Sequence, residues 1–387
     1  MVLDDANRLG YALKRFEKIM RILHVITTLF VGGAEKLMVD LLPRLRDLGN
    51  EVELAVFYGA QTQFVEQLEE AGIKIHKFGM NSNVYHLSNL IKLRSFFDEF
   101  DIIHTHNTAC QLFAAIDSIG KKTILCTTEH NTSNRRRDIK GLKWADKWMY
   151  SRYQKIICIS DQAEINLRTY LSSNSQKITT IYNGINLKRF QEAQPNFELK
   201  LHKDKIIITM VAAFRPQKDH QTLFKALKLL PDYYELWVVG DGEIRKKVEQ
   251  MCEQEGVKER TIFWGLRKDV PAILKTSDII VMSSHYEGLS LSNVEGMSCG
   301  RPFIASDVDG LREVVKGHGV LFPHEDYQQL AKEIIRLSED KEYADKIVRQ
   351  CQAKAAEYDI SIMAEKYNEV YKTLKAEKMQ RKILNEE

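Results

Sequence analysis

The densest chemistry in the chain lies between residues 283 and 300: Ser283-Ser284-His285-Tyr286-Glu287-Gly288-Leu289-Ser290-Leu291-Ser292-Asn293-Val294-Glu295-Gly296-Met297-Ser298-Cys299-Gly300. An apolar run over 279–284 leads into a loop holding Glu287, then into a small-residue helix holding Glu295. The backbone amides of Gly288 to Ser292 would open that helix, and unsatisfied amides at a helix start favour a phosphate. A carboxylate next to a phosphate is unfavourable unless it accepts hydrogen bonds from hydroxyls, so Glu287 and Glu295 point to sugar and ribose hydroxyls. The plainer alternative is a capping glutamate plus a solvated one. It leaves Gly296, Ser298 and Gly300 along the same segment without a reason. Two nearby carboxylates also fit a glycosidase, but that chemistry has no use for a phosphate site.

Cations to meet a diphosphate stand in Val211-Ala212-Ala213-Phe214-Arg215-Pro216-Gln217-Lys218-Asp219-His220, between an apolar run and a helical pattern. Arg215 and Lys218 at the mouth of a strand can neutralise a diphosphate; solvated surface charges are the alternative. In the first half, Thr27-Thr28-Leu29-Phe30-Val31-Gly32-Gly33-Ala34-Glu35 runs from a strand into an amphipathic helix. Gly32 and Gly33 let backbone approach a ligand there, or simply make a tight turn. G-x-G-x-x-G is absent, so this is no dinucleotide fingerprint. Two further strands end in His104-Thr105-His106-Asn107 and Thr127-Thr128-Glu129-His130-Asn131. His104 and His106 share one strand face, with Thr105 opposite. His130 closes an apolar strand among hydrogen-bonding groups and is the strongest candidate of the three, with a structural role as the alternative. No ligand set with metal spacing completes around these histidines. Asp307-Val308-Asp309 is a tripeptide common by chance, and no metal is expected.

These groups must be positioned by short β-branched runs alternating with longer amphipathic segments. Strands are predicted at 21–28, 51–57, 74–78, 102–106, 122–128, 155–160, 178–182, 206–212, 235–240, 261–265, 279–284, 302–306 and 319–322. Many are apolar on both faces, as in Leu236-Trp237-Val238-Val239, which fits parallel strands covered by helices on each side. The alternation gives βαβ units. It breaks once, at the polar stretch Gln191-Glu192-Ala193-Gln194-Pro195-Asn196, the expected linker. The fold class is therefore α/β, with two doubly wound parallel-sheet domains over 20–190 and 201–360 and ligands at strand carboxyl ends, in the cleft between them. Residues 1–19 form an N-terminal extension before Met20. About 340–378 is predicted helical, with Tyr367 and Tyr371 on one face.

At 387 residues, two cores are the default. With 56 basic against 53 acidic residues, the net charge of +3 gives no reason to expect nucleic acid as a partner. Six scattered cysteines, several in apolar runs, read as buried hydrophobes in a reducing compartment. No apolar stretch reaches the roughly 18 residues of a membrane span, and charges interrupt residues 1–19, so a cytoplasmic location is expected. One segment, 135–149, interleaves basic residues with Trp144 and Trp148. It suits an anionic membrane surface or a lipid-linked acceptor; an ordinary helix burying Leu142, Trp144 and Trp148 is the equal alternative.

Taken in order, Gly32-Gly33-Ala34-Glu35, His104-Thr105-His106, Glu129-His130, Tyr182-Asn183-Gly184-Ile185-Asn186, Pro216-Gln217-Lys218, Gly240-Asp241-Gly242-Glu243 and the Glu287 to Gly300 segment resemble family 4 of the glycosyltransferases, retaining enzymes of the GT-B fold. The resemblance runs from about residue 20 to 373, and the ordered set is far more specific than any one motif. It implies two Rossmann-like domains facing a central cleft, with a final helix over 361–387 crossing back to the first. It implies that Glu287 contacts the donor sugar's hydroxyls and Glu295 the ribose. Lys218 would hold the diphosphate with the amides of Gly288, Leu289, Ser290 and Leu291. His130 would lie near the reacting carbon, Gly32 and Gly33 along the donor or acceptor side, and Gly240, Gly242 and Gly265 beside the base. Two departures stand out: the family's usual arginine is Ala213, with Arg215 two residues later, and the usual Gly-Gly after Asp307-Val308 is Asp309-Gly310.

The implied reaction moves a sugar from a nucleotide-diphosphate donor to a hydroxyl of a glycan or lipid-linked acceptor, in cell-surface polysaccharide or glycolipid synthesis. It keeps the anomeric configuration and needs neither cofactor nor obligatory metal. The implied location is the cytoplasm, peripheral at the inner face of the membrane. An epimerase of the same fold and a non-catalytic sugar-nucleotide-binding protein are the alternatives, the latter resting on Ala213.

Overall fold

The computed structural model describes residues 19–30, 32–81, 83–130, 141–172, 176–287 and 291–384. The expected extension over 1–19 thus lies almost wholly outside the described residues. The chain divides into two compact units, one of residues 1–184 with 360–387, the other of residues 185–359.

In the first unit seven parallel strands form one sheet: β1 (Arg21–Ile26), β2 (Glu51–Val56), β3 (Lys74–Lys77), β4 (Ile102–His106), β5 (Ile124–Glu129), β6 (Lys155–Cys158) and β7 (Ile178–Thr180), in the order β3-β2-β1-β4-β5-β6-β7. The central strands are buried on both faces; every residue of β4 and β5 is. This is why their sequences are continuously apolar or carry polar groups with internal partners. β1 and β4 lie side by side with His24 level with His104. The order turns back between them, so the crevice at their carboxyl ends is the topological switch point where ligands bind in open parallel sheets.

The helix Ile360–Leu384 belongs to this unit. Its buried residues Ile360, Met363, Ala364, Tyr367, Tyr371 and Leu374 follow a three-to-four spacing, one helical stripe. Each large side chain so buried contributes roughly 1.5–3 kcal/mol. Asn50 Nδ2 donates to Asn368 Oδ1 at 3.1 Å, and Lys375 pairs with Asp101 at 3.1 Å.

In the second unit six parallel strands follow the same plan: β8 (Ile206–Val211), β9 (Tyr234–Val239), β10 (Thr261–Gly265), β11 (Ile279–Met282), β12 (Phe303–Ser306) and β13 (Val320–Phe322), in the order β10-β9-β8-β11-β12-β13. Here the switch point falls between β8 and β11, paired through Ile208 and Ile279.

One expectation needs correction. The chain passes between units at Gly184–Ile185, before the polar stretch 191–196. Ile185, Leu187 and Phe190 are buried in the second core, and Asn196 donates its amide to Thr276 Oγ1 at 2.8 Å. The polar stretch is a surface turn of the second unit, since composition there reports solvent and not a boundary. The segment expected to be helical over about 340–378 holds two helices, Lys341–Ala356 and Ile360–Leu384, separated where the chain returns at Asp359–Ile360. The two connections meet there: the Ile185 amide donates to the Tyr358 carbonyl at 2.9 Å.

Candidate functional site

In the second unit the residues after β8 and after β11 run side by side. The Asp219 amide donates to the Ser283 carbonyl at 3.0 Å and the His285 amide to the Gln217 carbonyl at 2.8 Å, with Lys218 opposite Ser284 in an antiparallel bridge. This two-rung ladder brings Lys218 Nζ onto Glu287 Oε1 as an ion pair, with side chains only 8% and 6% exposed. Ser284 Oγ donates to the same oxygen at 3.1 Å, and Gln217 Nε2 donates to Oε2 at 3.3 Å. Met282 Sδ lies 3.5 Å from the ammonium. Sequence reasoning singled out Lys218 and Glu287 but not Gln217 or Ser284, whose roles come from the ladder.

The other predicted residues of this unit fall around the same strand ends. Arg215 is exposed, as is Ala213. Leu291 opens the helix Leu291–Ser298, which carries half-buried Glu295 one turn on. Gly288, Leu289 and Ser290 lie outside the described residues. Gly240 and Gly242 have a local reason to be glycine. A Cβ on Gly240, at φ +137°, would stand 2.0 Å from the Ala212 carbonyl oxygen, and one on Gly242 2.4 Å from that of Phe214. The Phe214 amide donates to the Asp241 carbonyl at 3.0 Å, and the Gly240 amide to that of Gly265 at 2.9 Å. These glycines draw the ends of β8, β9 and β10 together. Gly265 itself sits at φ +64°, the left-handed region that favours glycine. Gly296 packs its helix on the sheet, where a Cβ would meet the Phe303 ring at 2.7 Å. Asp307 and Asp309 are both held by Arg312, at 2.5 and 3.0 Å.

In the first unit four histidines form one connected group. His24 Nδ1 lies 3.0 Å from His106 Nε2, and His106 Nδ1 lies 2.9 Å from His130 Nε2. His104 Nε2 meets Thr128 Oγ1 at 2.8 Å, and the Tyr371 hydroxyl reaches His104 Nδ1 at 2.7 Å and His24 Nε2 at 3.4 Å. The rings of His24, His104 and His106 stack at 4.8–5.3 Å between centroids. Thr105 points the other way, to the Tyr153 hydroxyl at 3.0 Å, as strand alternation requires. Burial lowers the pKa of His24 to about 3 and of His130 to about 4, and holds His104 and His106 well below the usual value. All four are neutral near pH 7. Each then carries one N–H and one bare nitrogen, so the tautomer of one sets that of the next.

His24 escaped the sequence analysis. The signal was there: a polar residue inside the apolar β1, which a 2-1-4 strand order places beside His104. Glu129 is buried away from His130, accepting from Gln111 Nε2 and the Tyr150 hydroxyl, each at 2.6 Å. Gly32 caps the helix Gly33–Asp47, and a Cβ on Gly33 would meet nothing within 4 Å. Beyond them Asn107, at φ +75°, accepts from the Thr27 hydroxyl at 3.2 Å and its amide at 3.3 Å.

A cavity of about 900 Å³ in the first unit, lined by Arg21, Glu51, Asp98 and Lys378 among others, opens at the amino ends of the strands, away from these groups. The segment 135–149 is described only from Gly141. In the helix Leu142–Ser151, Trp148 is partly buried against the core, whereas Trp144 is 78% exposed between exposed Lys143 and Lys147. The ordinary-helix reading, which buried both tryptophans, does not hold for Trp144. Among the described residues no helix is long and apolar enough to cross a membrane.

Comparison with known proteins gives two family matches that together span most of the chain. Residues 31–189 match Glycosyltransferase Family 4, and residues 192–354 match Glycosyl transferases group 1. A UDP-Gal:alpha-D-GlcNAc-diphosphoundecaprenol alpha-1,3-galactosyltransferase of Escherichia coli is 28% identical over 63% of this chain and 68% of its own length. An N,N'-diacetylbacillosaminyl-diphospho-undecaprenol alpha-1,3-N-acetylgalactosaminyltransferase of Campylobacter jejuni is 23% identical over 86% of this chain and 94% of its own. Among solved structures, Anabaena HepE in complex with UDP and glucose matches with a TM-score of 0.76 and 22% identity, covering 92% of this chain and all of that one.

Proposed function

The chain belongs to glycosyltransferase family 4, and we propose that it moves a sugar from a nucleoside diphosphate to a lipid-linked acceptor with retention of configuration. That it is a glycosyltransferase of the GT-B fold follows from the two family matches, the named relatives and the two parallel-sheet units. The donor, the stereochemistry and the acceptor are the proposal.

The observation that carries it is the Lys218–Glu287 pair at the β8/β11 switch point. Two buried charges are costly to desolvate and pair only weakly in net terms. Such a pair is well suited to exchange partners. An arriving diphosphate gives Lys218 a stronger anionic partner, with Arg215 as the second cation. Glu287, still held by Ser284 and Gln217, then turns its free lone pairs to sugar hydroxyls. Charge gathering on the departing diphosphate is stabilised by Lys218, Arg215 and the amides opening the helix of Glu295. Glu295 takes the ribose.

On the first unit, neutral His130 offers one ring nitrogen to the donor sugar while the other is held by His106. Gly33 leaves bare backbone where a side chain is not excluded by the fold. No carboxylate in this group of histidines is placed to form a glycosyl intermediate among the described residues, which favours same-face attack, with a donor phosphate oxygen taking the acceptor's proton.

Relatives that act on undecaprenyl-diphosphate sugars support the lipid-linked acceptor. An exposed Trp144 flanked by Lys143 and Lys147 suits contact with an anionic membrane surface from the cytoplasmic side. The test is product stereochemistry: nuclear magnetic resonance of the glycosylated polyprenyl diphosphate formed from an α-linked nucleotide sugar. An α-linkage is expected, and a β-linkage would reject retention.

A further inference from the structure

The loops that hold Lys218 and Glu287 also gather Asp219, His285 and His324, from the connections after β8, β11 and β13. His285 Nδ1 and His324 Nε2 are 3.0 Å apart, and one ligand atom from each of the three residues lies within 4.8 Å of the others. Asp219 is buried, 3% exposed. Its Oδ1 accepts from the Thr222 amide at 3.0 Å, capping the helix His220–Leu229, while Oδ2 is buried without a partner among the described residues. Glu325 adds a second carboxylate, with Oε1 3.3 Å from His285 Nδ1 and 3.8 Å from His324 Nε2.

A buried carboxylate oxygen without a donor is expensive, and a cation beside it removes the cost. Two imidazole nitrogens beside that carboxylate fix the kind of cation. Imidazole suits zinc and its first-row neighbours, whereas magnesium and calcium prefer all-oxygen shells. Around tetrahedral zinc, with bonds near 2.0–2.1 Å, ligand atoms stand about 3.3 Å apart. The nitrogen pair is already within a few tenths of an ångström of that spacing. We propose that Asp219, His285 and His324 form a binding site for a divalent ion of the zinc type, with Glu325 as the fourth ligand.

The ion would tie the loop after β13 to the two loops that the ladder already joins. Asp219 follows Lys218 directly and His285 stands two residues before Glu287, so the ion pins the ladder on which that ion pair depends. Its role is to hold the loops, not to polarise substrate. The site is open to solvent, since the side chains of His285 and His324 are 36% and 40% exposed.

The experiment uses the full chain without a polyhistidine tag, stripped with chelator. Zn²⁺ is titrated against a chromophoric competitor, and Co²⁺ is added separately to read the visible bands of a four-coordinate ion. One equivalent of Zn²⁺ and a four-coordinate Co²⁺ spectrum are expected. His324→Asn, at the surface, and Asp219→Asn, which keeps a capping oxygen, should each weaken Zn²⁺ binding by at least the roughly 10–100-fold that even outer-shell partners are worth. No saturable binding of either metal would overturn the site. Binding that both variants retain would place the metal elsewhere and overturn it equally. Neither readout requires sugar transfer, so failure here leaves the proposed function standing.

Discussion

Lys218 and Glu287, 69 residues apart in sequence, meet as a buried ion pair because two backbone hydrogen bonds join the residues on either side of Lys218 to those on either side of Ser284, three positions before Glu287. The pair is coupled, and that coupling is measurable. Glu287→Ala strands a buried ammonium and should cost the second unit about 3–5 kcal/mol, as should Lys218→Ala for the carboxylate. The double variant Lys218→Met with Glu287→Leu should recover most of that stability in urea titration while staying inactive. Additive losses in the double variant would show that the two charges do not depend on each other.

Three buried histidines, His24, His104 and His106, and the half-buried His130 set a pH dependence with a defined sign. Their folded pKa values lie below the unfolded value of about 6.5, at about 3 for His24 and about 4 for His130. As pH falls below about 6.5 the unfolded chain takes up protons that the folded chain refuses, so stability falls toward about pH 4 and is level above about 7. Each histidine contributes a slope of up to about 1.4 kcal/mol per pH unit. Asp117 opposes one of them: burial raises its pKa to about 7, so the folded state holds a proton there that the unfolded state has lost. Denaturant titrations at pH 7, 6 and 5 should show a steep net loss of stability in the first unit. A flat profile would mean that the histidines are charged or solvated.

Gly240 and Gly33 should separate cleanly. Gly240→Ala forces a Cβ to within 2.0 Å of a carbonyl oxygen at a φ that favours glycine, and should cost at least about 3 kcal/mol. Gly33→Ala meets nothing and should leave stability within about 0.5 kcal/mol or improve it. A loss of activity in the stable Gly33→Ala protein would then report on ligand contact. Equal destabilisation of both would contradict the packing described.

Much of this was legible in the sequence for a physical reason. Strands buried on both faces must be apolar throughout, so Ile206-Ile207-Ile208 and Leu236-Trp237-Val238-Val239 announce themselves, and polar residues closing such runs mark the ligand end of a parallel sheet. Lys218 and Glu287 were found that way. His24 was not, because its meaning depends on which strand lies beside β1, and strand order is a long-range fact. Nor did composition reveal that residues 191–196 lie on the surface of the second unit, when the crossing itself occurs at the inconspicuous Gly184–Ile185. Asp219, His285 and His324 are likewise too far apart in sequence for any spacing rule to join them.

Trp144→Ala should leave stability within about 0.5 kcal/mol, since the ring is largely solvated. If the helix Leu142–Ser151 meets the membrane, this variant should sediment less with anionic liposomes, and the wild-type protein should be released as salt rises. Wild-type protein that stays in the supernatant at low salt would remove membrane contact from the account.

The most direct test of the central claim is release of nucleoside diphosphate from a panel of nucleotide sugars, with a polyprenyl-diphosphate sugar as acceptor, in wild type and Glu287→Ala. The account predicts release from one donor, at a rate about 10²-fold or more above that of the variant, with calorimetry showing that the variant still folds and binds the free nucleotide. No release from any donor, together with no binding of any nucleotide, would contradict it.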